Sequence, residues 1–497
     1  MVSDGLSTSL LMDFAGLSQS LGARHLSFAG NGSAVGSGKP VCAGFSSVSI
    51  DSRSVQQGAL FVALAGAASD GHCFVEAAFK AGAAAAMVES SKLETFDLTN
   101  IAKSMGKDLV VVENTLRGLQ DAARVYLERF PKLLKIGITG SSGKTTTKEI
   151  AAAIISAEKN TVMNKGNLNS ETGLPLSVFE VRSHHEAGVF ELGMNRRGEI
   201  AELAAVLKPN IALITNIGSA HIGILGSKQA IAEEKKNIFS QFAGNGIALV
   251  PEDDEFRDFL GEGVKGRVCF YGAASFAELE GTRSLGLEGS EIRWAGEAIH
   301  FALPGRHNLA DALGAIAIAR EVPVSRNAVK RGLESVRPLF GRGEILRGRT
   351  TVIRDCYNAN PESFEKALEF CDSLDWPGRR IYVIADMLEL GGNSRSSHER
   401  MGRLLAVSKA DKVFLYGNET EAAASVMAAN GVDAKPFFHT RSMGELSAAL
   451  DAFIQSGDLV LLKGSRGCAL EQLSGLLVQP QAGMCTGIEN APNRGYV

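Results

Sequence analysis

The run ITGSSGKTTTKEI, residues 138 to 150, sets two glycines, a lysine and a row of hydroxyls where the apolar segment Leu133 to Ile138 gives way to an Ala-rich, helix-forming stretch. The pattern predicts a strand, a phosphate loop and a helix. Gly140 and Gly143 let the backbone bend so that successive N–H groups and the helix N-terminus face an anion. Lys144 adds charge and Thr145 a hydroxyl for Mg²⁺, with Ser141, Ser142 and Thr146 in the same loop. The predicted ligand is ATP or GTP. The competing explanation is a Gly-rich turn that meets Lys by chance, but Gly-Lys-Thr at a strand-to-helix junction is much rarer than an isolated GxGxxG. Ile138 stands where the general pattern G-x-x-x-x-G-K-[ST] has its first glycine, so the local form is T-G-x-x-G-K-T.

Two further groups fall at strand ends. Glu191 closes the apolar strand AGVFELG and His221 follows NIALITNIGSAHI, which predicts both at the carboxyl edge of the sheet that carries Lys144. Together they are candidates to hold a second divalent ion. A hard carboxylate oxygen suits Mg²⁺, whereas imidazole is a less usual partner for it. Taken singly, each also reads as ordinary: a strand-end carboxylate, a capping or core histidine. In IAEEKKNIF (231 to 239), Glu233, Glu234, Lys235 and Lys236 read as a solvated helix face with charge pairs.

The elements that must position these groups form three blocks. In the first, VSIDSRSVQQGALFVAL (48 to 64) alternates like paired strands around a Gln-Gln-Gly turn, followed by a helix and a strand. A strand at DLVVV and an amphipathic helix with Thr115 as a plausible N-cap then open a central block. This block continues through strands at GVFELG, NIALITNIG and GIALVPE. Its close is a hairpin turning at Gly296 and the helix NLADALGAIAIARE. From about residue 338 strand and helix alternate again, from TTVIRDCYN to DLVLLKG, which requires a parallel, helix-covered sheet. The predicted domains are 1–107, 108–337 and 338–480, with a frayed tail at 481–497.

Composition sets bounds on partners. The 497 residues are 45% hydrophobic, enough for several cores, and 51 basic against 55 acidic side chains leave a net charge of −4 with no Lys/Arg block to follow a phosphodiester backbone. Nucleic acid is excluded as an expected partner. Seven cysteines without C-x-x-C spacing argue against a disulfide framework or zinc knuckle and fit a reducing cytoplasm. No segment approaches the ~20 uncharged apolar residues of a membrane span, and no targeting leader is read at the N-terminus.

An ordered series of motifs then carries a resemblance. TGSSGKTTTKE, NKGNLNSETGLPLS, ELGMNRRGEI, NIGSAHI, EEKKNIF, LPGRHNLADALGAIAIA, GRGEI, RDCYNANPESF, ADMLELGGNSRSSHERMG and LLKGSRG resemble the Mur ligases over nearly the whole chain. YNANPES and GNLNSETGLPL are similar to the forms of members that add D-alanyl-D-alanine to UDP-N-acetylmuramoyl-tripeptide. The D-N-P-R motif of the diaminopimelate-adding members is absent. Ser170 and Thr172 depart from the more usual Asn and Ile, and Met194 from a common Ala.

The resemblance implies an α/β protein of three domains: a small N-terminal one, a central P-loop ATPase-like parallel sheet and a C-terminal Rossmann-like domain. It implies an ATP- and Mg²⁺-dependent ligase of cytoplasmic peptidoglycan synthesis, a monomer that phosphorylates the muropeptide carboxylate before an amine attacks. Lys144 would neutralise the transferring phosphoryl group and Thr145 would hold Mg²⁺. Glu191 and His221 match ligands of a second Mg²⁺, and Lys235 matches, by K-x-x-I-F spacing, a lysine that becomes a carbamate. His307 and Asn308 resemble an adenine-contacting pair, and Arg342 a phosphate-contacting arginine. Asp355, Tyr357, Asn358 and Asn360 resemble the third domain's edge of the ATP pocket, with helix capping before Pro361 as a competing task for Asp355. Asn167, Asn169, Ser170, Glu171 and Thr172 fall in the muropeptide segment. Ser52 and Arg53, with Asp70, Gly71 and His72, resemble the region that holds the UDP-sugar, although DSR is also a common turn sequence. A folylpolyglutamate synthase-like ligase is the nearest enzymatic rival, disfavoured by the hundred-odd residues before the phosphate loop. A nucleotide-switched regulatory protein is the rival from another class, disfavoured by Lys144, Glu191, His221 and Lys235 occurring together.

Overall fold

Strands whose residues are apolar on both faces must be covered on both faces, and the central strands are of that kind: all of Ile211–Ile214 and Ala187–Glu191 are buried. They belong to a wholly parallel six-stranded sheet. Its order is Gly266–Tyr271, Gly246–Pro251, Ile211–Ile214, Leu134–Thr139, Ala187–Glu191 and Thr161–Met163. The computed structural model describes residues 10–28, 44–66, 69–429 and 435–478. The tail 481–497, Cys42 and Cys485 lie outside them.

The described chain divides into two compact units. One comprises residues up to Ile217 with Gln229–Ala277 and Asp311–Leu333, the other Gly218–Lys228, Glu278–Ala310 and the chain from Glu334. The first unit holds the central sheet and a five-stranded one, in the order Arg24–Leu26, Asp108–Val112, Ala85–Glu89, Ala59–Val62 and Ser47–Ser49. Only the Arg24–Leu26 pairing is antiparallel. Phe61, Val75, Phe79, Val88 and Leu109 pack one core against this sheet.

Two expectations change here. Ser47–Ser49 and Ala59–Val62 are parallel neighbours rather than a hairpin around Gln-Gln-Gly, because the connection crosses over to rejoin the sheet from the same end. Asp108–Val112, expected to begin the central block, pairs along its length with Ala85–Glu89, so the first sheet takes one more strand than a boundary at 107 allows.

The second unit carries an antiparallel meander of Leu279–Ser284, Ser290–Trp294 and Glu297–Phe301, turning through Ala295 and Gly296 at φ 52° and 84°. Its second sheet runs Glu344–Arg347, Thr351–Asp355, Leu459–Lys463, Arg380–Ala385, Lys412–Tyr416 and Phe437–Thr440, parallel except at the first pair. Apolar clusters cover both faces of this sheet, around Phe364, Tyr382 and Leu415 on one and Val383, Phe414 and Leu462 on the other.

Helix ends are fixed by short polar side chains. Asn114, not Thr115, caps Thr115–Glu128, its Oδ1 accepting the Arg117 N–H at 2.8 Å, while Thr115 turns inward to donate to the Ala63 carbonyl. Asn114→Ala should lower stability by about 1 kcal/mol, the usual cost of a lost cap, read as a shift in the denaturant midpoint with an unchanged slope.

Candidate active site

The loops after Leu134–Thr139, Ala187–Glu191 and Ile211–Ile214 leave the same edge of three adjacent parallel strands, the position where such sheets assemble sites. In the phosphate loop both glycines are required. A Cβ on Gly140 (φ 154°) would lie 1.8 Å from Thr215 Oγ1, and one on Gly143 (φ 80°) 2.1 Å from Asp311 Oδ1. Asn216 shapes the loop from the neighbouring strand. Its main-chain oxygen accepts from Ser141 N at 3.0 Å and its Oδ1 from Ser142 N at 2.9 Å, while its Nδ2 donates to Ser142 Oγ at 2.9 Å. Thr215 Oγ1 donates to the Ser142 carbonyl at 2.6 Å. Lys144 Nζ lies over the loop, donating to Gly140 O at 2.9 Å, and Lys144–Ser156 forms the following helix with Thr145 and Thr146 in its first turn. A helix N-terminus with a glycine bend and a lysine at its mouth fits a nucleotide phosphate.

Glu191 sits beside this helix, 2% exposed. Its Oε2 accepts from Thr145 Oγ1 at 2.7 Å and its Oε1 from Asn169 Nδ2 at 2.6 Å. A buried carboxylate adjoining a threonine hydroxyl at a phosphate-binding helix end is the oxygen donor set that suits Mg²⁺. Asn164 holds the main chain of Glu191, accepting from its N–H at 2.9 Å and donating to its carbonyl at 3.0 Å.

Lys235 reverses an expectation. Glu234 and Lys235 on the helix Lys228–Lys236 are buried rather than part of a solvated face. Glu234 accepts from Gly198 N and Ile200 N at 2.8 and 2.9 Å, capping the helix Glu199–Leu207. Lys236 donates to the Phe259 carbonyl at 2.6 Å and lies over that ring. Burial first, and the positive charge of Lys144 second, push the Lys235 amine well below its ordinary range, while Glu234 and Glu191 pull it back.

The expected muropeptide segment lies around Asn169. Asn167 is exposed, Ser170 Oγ accepts from Gly173 N and stands 3.3 Å from Thr172 Oγ1, and Glu171 pairs with Arg196 at 2.6 Å. Nearby residues line a cavity of about 240 Å³ with Ser49, Asp51, Ser54, Met163, Lys165 and Glu180 on its walls. Ser52 and Arg53 do not line it. Arg53 turns back on Asp51 at 2.7 Å, and its guanidinium holds that carboxyl down at about 2.

His72, expected near the UDP-sugar, is buried with both ring nitrogens engaged. Nε2 accepts from Glu89 N at 2.9 Å, which places the proton on Nδ1, 2.6 Å from Asp70 Oδ1. Asp70 also pairs with Lys92 at 2.9 Å, and a Cβ on Gly71 would meet the Leu64 backbone at 2.6 Å. These three residues brace the loop, and the ring of His72 has no nitrogen left for a ligand.

The remaining candidates belong to the second unit. His221 (φ 64°) heads the short helix Ile222–Leu225, with Nδ1 3.2 Å from Glu389 Oε2, and Ser219 before it is gripped by Glu362 through N and Oγ at 2.9 and 2.7 Å. His307 is enclosed, and burial lowers its imidazole to about 4, against the pull of Asp355. Asn308 Nδ2 donates to the Pro304 carbonyl at 2.7 Å, and the Arg342 guanidinium stacks 4.1 Å from the centre of the Tyr357 ring. Lys463 joins Asp355 Oδ2 at 3.0 Å to the Asn358 carbonyl at 2.8 Å. The helix cap weighed for Asp355 falls to Asn360, which forms a capping box with Ser363.

Three family models match in chain order: "Mur ligase family, catalytic domain" at residues 45–126, "Mur ligase middle domain" at 138–319 and "Mur ligase, glutamate ligase domain" at 341–466. The chain belongs to the Mur ligase family. It is similar to the UDP-N-acetylmuramoyl-tripeptide–D-alanyl-D-alanine ligase of Treponema pallidum, 44% identical over 434 residues that span 87% of this chain and 94% of that protein. Among solved structures it resembles MurF from Acinetobacter baumannii, with 27% identity, TM-score 0.80 and 93% and 98% of the two chains covered. MurF from Thermotoga maritima in complex with ADP matches at 27% identity and TM-score 0.73, covering 87% and 96%.

Four residues of this Mur ligase escaped sequence reasoning: Asn216, Asn164, Lys148 and Lys463. Asn216 follows Thr215 just beyond a buried strand beside the phosphate-loop strand, a position where polar residues are a usable signal. The others lay within quoted motifs, but nothing in their spacing distinguishes a buried polar side chain from an exposed one. His307 gives a testable consequence. Its folded value near 4 lies below the ordinary 6.5, so the unfolded chain binds the proton more readily. The stability that this histidine contributes is full above about pH 6.5 and falls away towards pH 4, by up to about 3 kcal/mol. Unfolding curves at pH 7 and 4.5 should show a smaller loss for His307→Gln than for the native protein.

Proposed function

We propose that this Mur ligase joins D-alanyl-D-alanine to UDP-N-acetylmuramoyl-tripeptide at the expense of ATP, in the cytoplasm and as a monomer. The observation that carries the reading is the hydrogen-bonded chain Thr145–Glu191–Asn169, which ties the phosphate loop to the segment assigned to the muropeptide. The full-length similarity to ligases of that name supports it. The first domain, with Asp108–Val112 as its last strand, would take the UDP-sugar, the central domain ATP, and the third the nucleotide's outer edge.

In the first step a carboxylate oxygen of the muropeptide attacks the γ-phosphorus and the bond to ADP breaks. In the second the dipeptide amine attacks the acyl carbon, phosphate leaves and the amine loses a proton. Lys144 draws off the charge of the transferring phosphoryl group, since this chemistry rests on positioning and charge stabilisation. One Mg²⁺ on Thr145 would serve the nucleotide phosphates, and a second on Glu191 and His221 would offset repulsion between the two anionic reactants. Asn167, Ser170 and Thr172 would meet the peptide, and His307, Asn308 and Arg342 the nucleotide.

Lys235 would serve as a carbamate. Its enclosed site favours the neutral amine, the form that attacks CO₂, and the product exchanges a buried cation for an anionic oxygen donor. Phosphate release should require UDP-tripeptide and D-alanyl-D-alanine together; equal turnover with a folate and glutamate would overturn the assignment. Lys235→Ala should be nearly inactive and recover part of its rate with added acetate, whereas a fully active variant would remove the carbamate from the mechanism.

A further inference from the structure

Lys148 and Asn164 are two fully buried polar residues to which the proposed reaction gives no task. The strand Thr161–Met163 ends one residue before Asn164, whose carbonyl therefore leaves the ladder and needs a donor in the interior. Lys148 supplies it, its Nζ 2.6 Å from Asn164 O and 3.1 Å from Glu149 Oε1. The Asn164 side chain then makes three bonds. Besides the two that grip the main chain of Glu191, its Nδ2 donates to the Leu168 carbonyl at 2.8 Å, fixing the loop that carries Asn167 and Asn169. Burying an ammonium is costly, and a core that needed only volume at this place would be served by Met or Leu.

We infer that Lys148 and Asn164 are positioning residues, a buried couple that fixes Glu191 relative to Thr145 and locks that carboxylate to the muropeptide loop. The inference rests on the proposed assignment of Glu191 to Mg²⁺. Lys148 lies one helical turn beyond Lys144 on the same helix, so the phosphate loop, the carboxylate and the peptide loop hang from one helix through a continuous set of hydrogen bonds.

The test is the Mg²⁺ dependence of ADP binding, measured by calorimetry with no turnover, beside binding of UDP-tripeptide without nucleotide. Loss of a residue that orients a metal ligand costs 10- to 100-fold in metal affinity, so Lys148→Met should raise the Mg²⁺ concentration for half-maximal ADP binding at least about tenfold. Asn164→Ala should match Lys148→Met and carries the test if that variant does not fold. A folded variant with native Mg²⁺ dependence overturns the inference. So does the collapse of both variants, which would assign the couple to the fold, and so does native ADP binding that is indifferent to Mg²⁺. Native protein that binds ADP with Mg²⁺ yet fails to ligate, beside variants that show the predicted shift, would sink the proposed substrates and leave the positioning couple standing.

Discussion

An ionised carboxylate cannot sit in a protein interior unless donors replace its water, and Glu191 meets that demand with neutral ones, a threonine hydroxyl and an asparagine amide. Neutral donors satisfy geometry without cancelling charge. The carboxylate therefore keeps its attraction for a cation, and the low dielectric around it strengthens that attraction. Its surroundings follow from this choice. The sheet delivers Glu191 next to the phosphate-loop strand, and the loop at 164–169 closes over it. The Lys235 amine lies within its field.

A second device recurs in both units, a buried histidine used as a strut. His72 accepts from Glu89 N and faces Asp70 through Nδ1, while His398 accepts from Met387 N and donates to the Ser394 carbonyl. An imidazole with a single proton is a donor and an acceptor in fixed opposition, which suits it to bridge two loops. His72 thus serves the fold in a motif whose residue types suggest ligand binding.

Much of the architecture was legible because parallel, doubly covered sheets write long apolar strands separated by helices, and because Gly-Lys-Thr marks the strand-to-helix junction so sharply. What misled was local. The Gln-Gln-Gly turn reads as a hairpin although its flanking strands are parallel, since turn chemistry says nothing about which neighbour a strand selects. Glu234 and Lys235 read as surface because the charge pattern of a helix does not reveal that its polar face is covered by the loop it caps. Lys148 and Asn164 were hidden because a polar side chain inside a motif reads the same whether it is buried or exposed. Among the described residues, no helix is long and apolar enough to cross a membrane, in keeping with the hydropathy of the sequence.

The bonds from Asn216 to Ser141 and Ser142 have a further consequence. A phosphate loop rich in glycine is entropically expensive to order, and a free loop would charge that cost to every nucleotide it binds. Here the first half of the loop is already fixed to the neighbouring strand by four hydrogen bonds from Thr215 and Asn216. The receptor shape is settled during folding rather than at encounter. Selectivity at this end of the nucleotide thus comes from a rigid mould, and whatever adaptation the enzyme makes to its substrates must take place elsewhere in the chain.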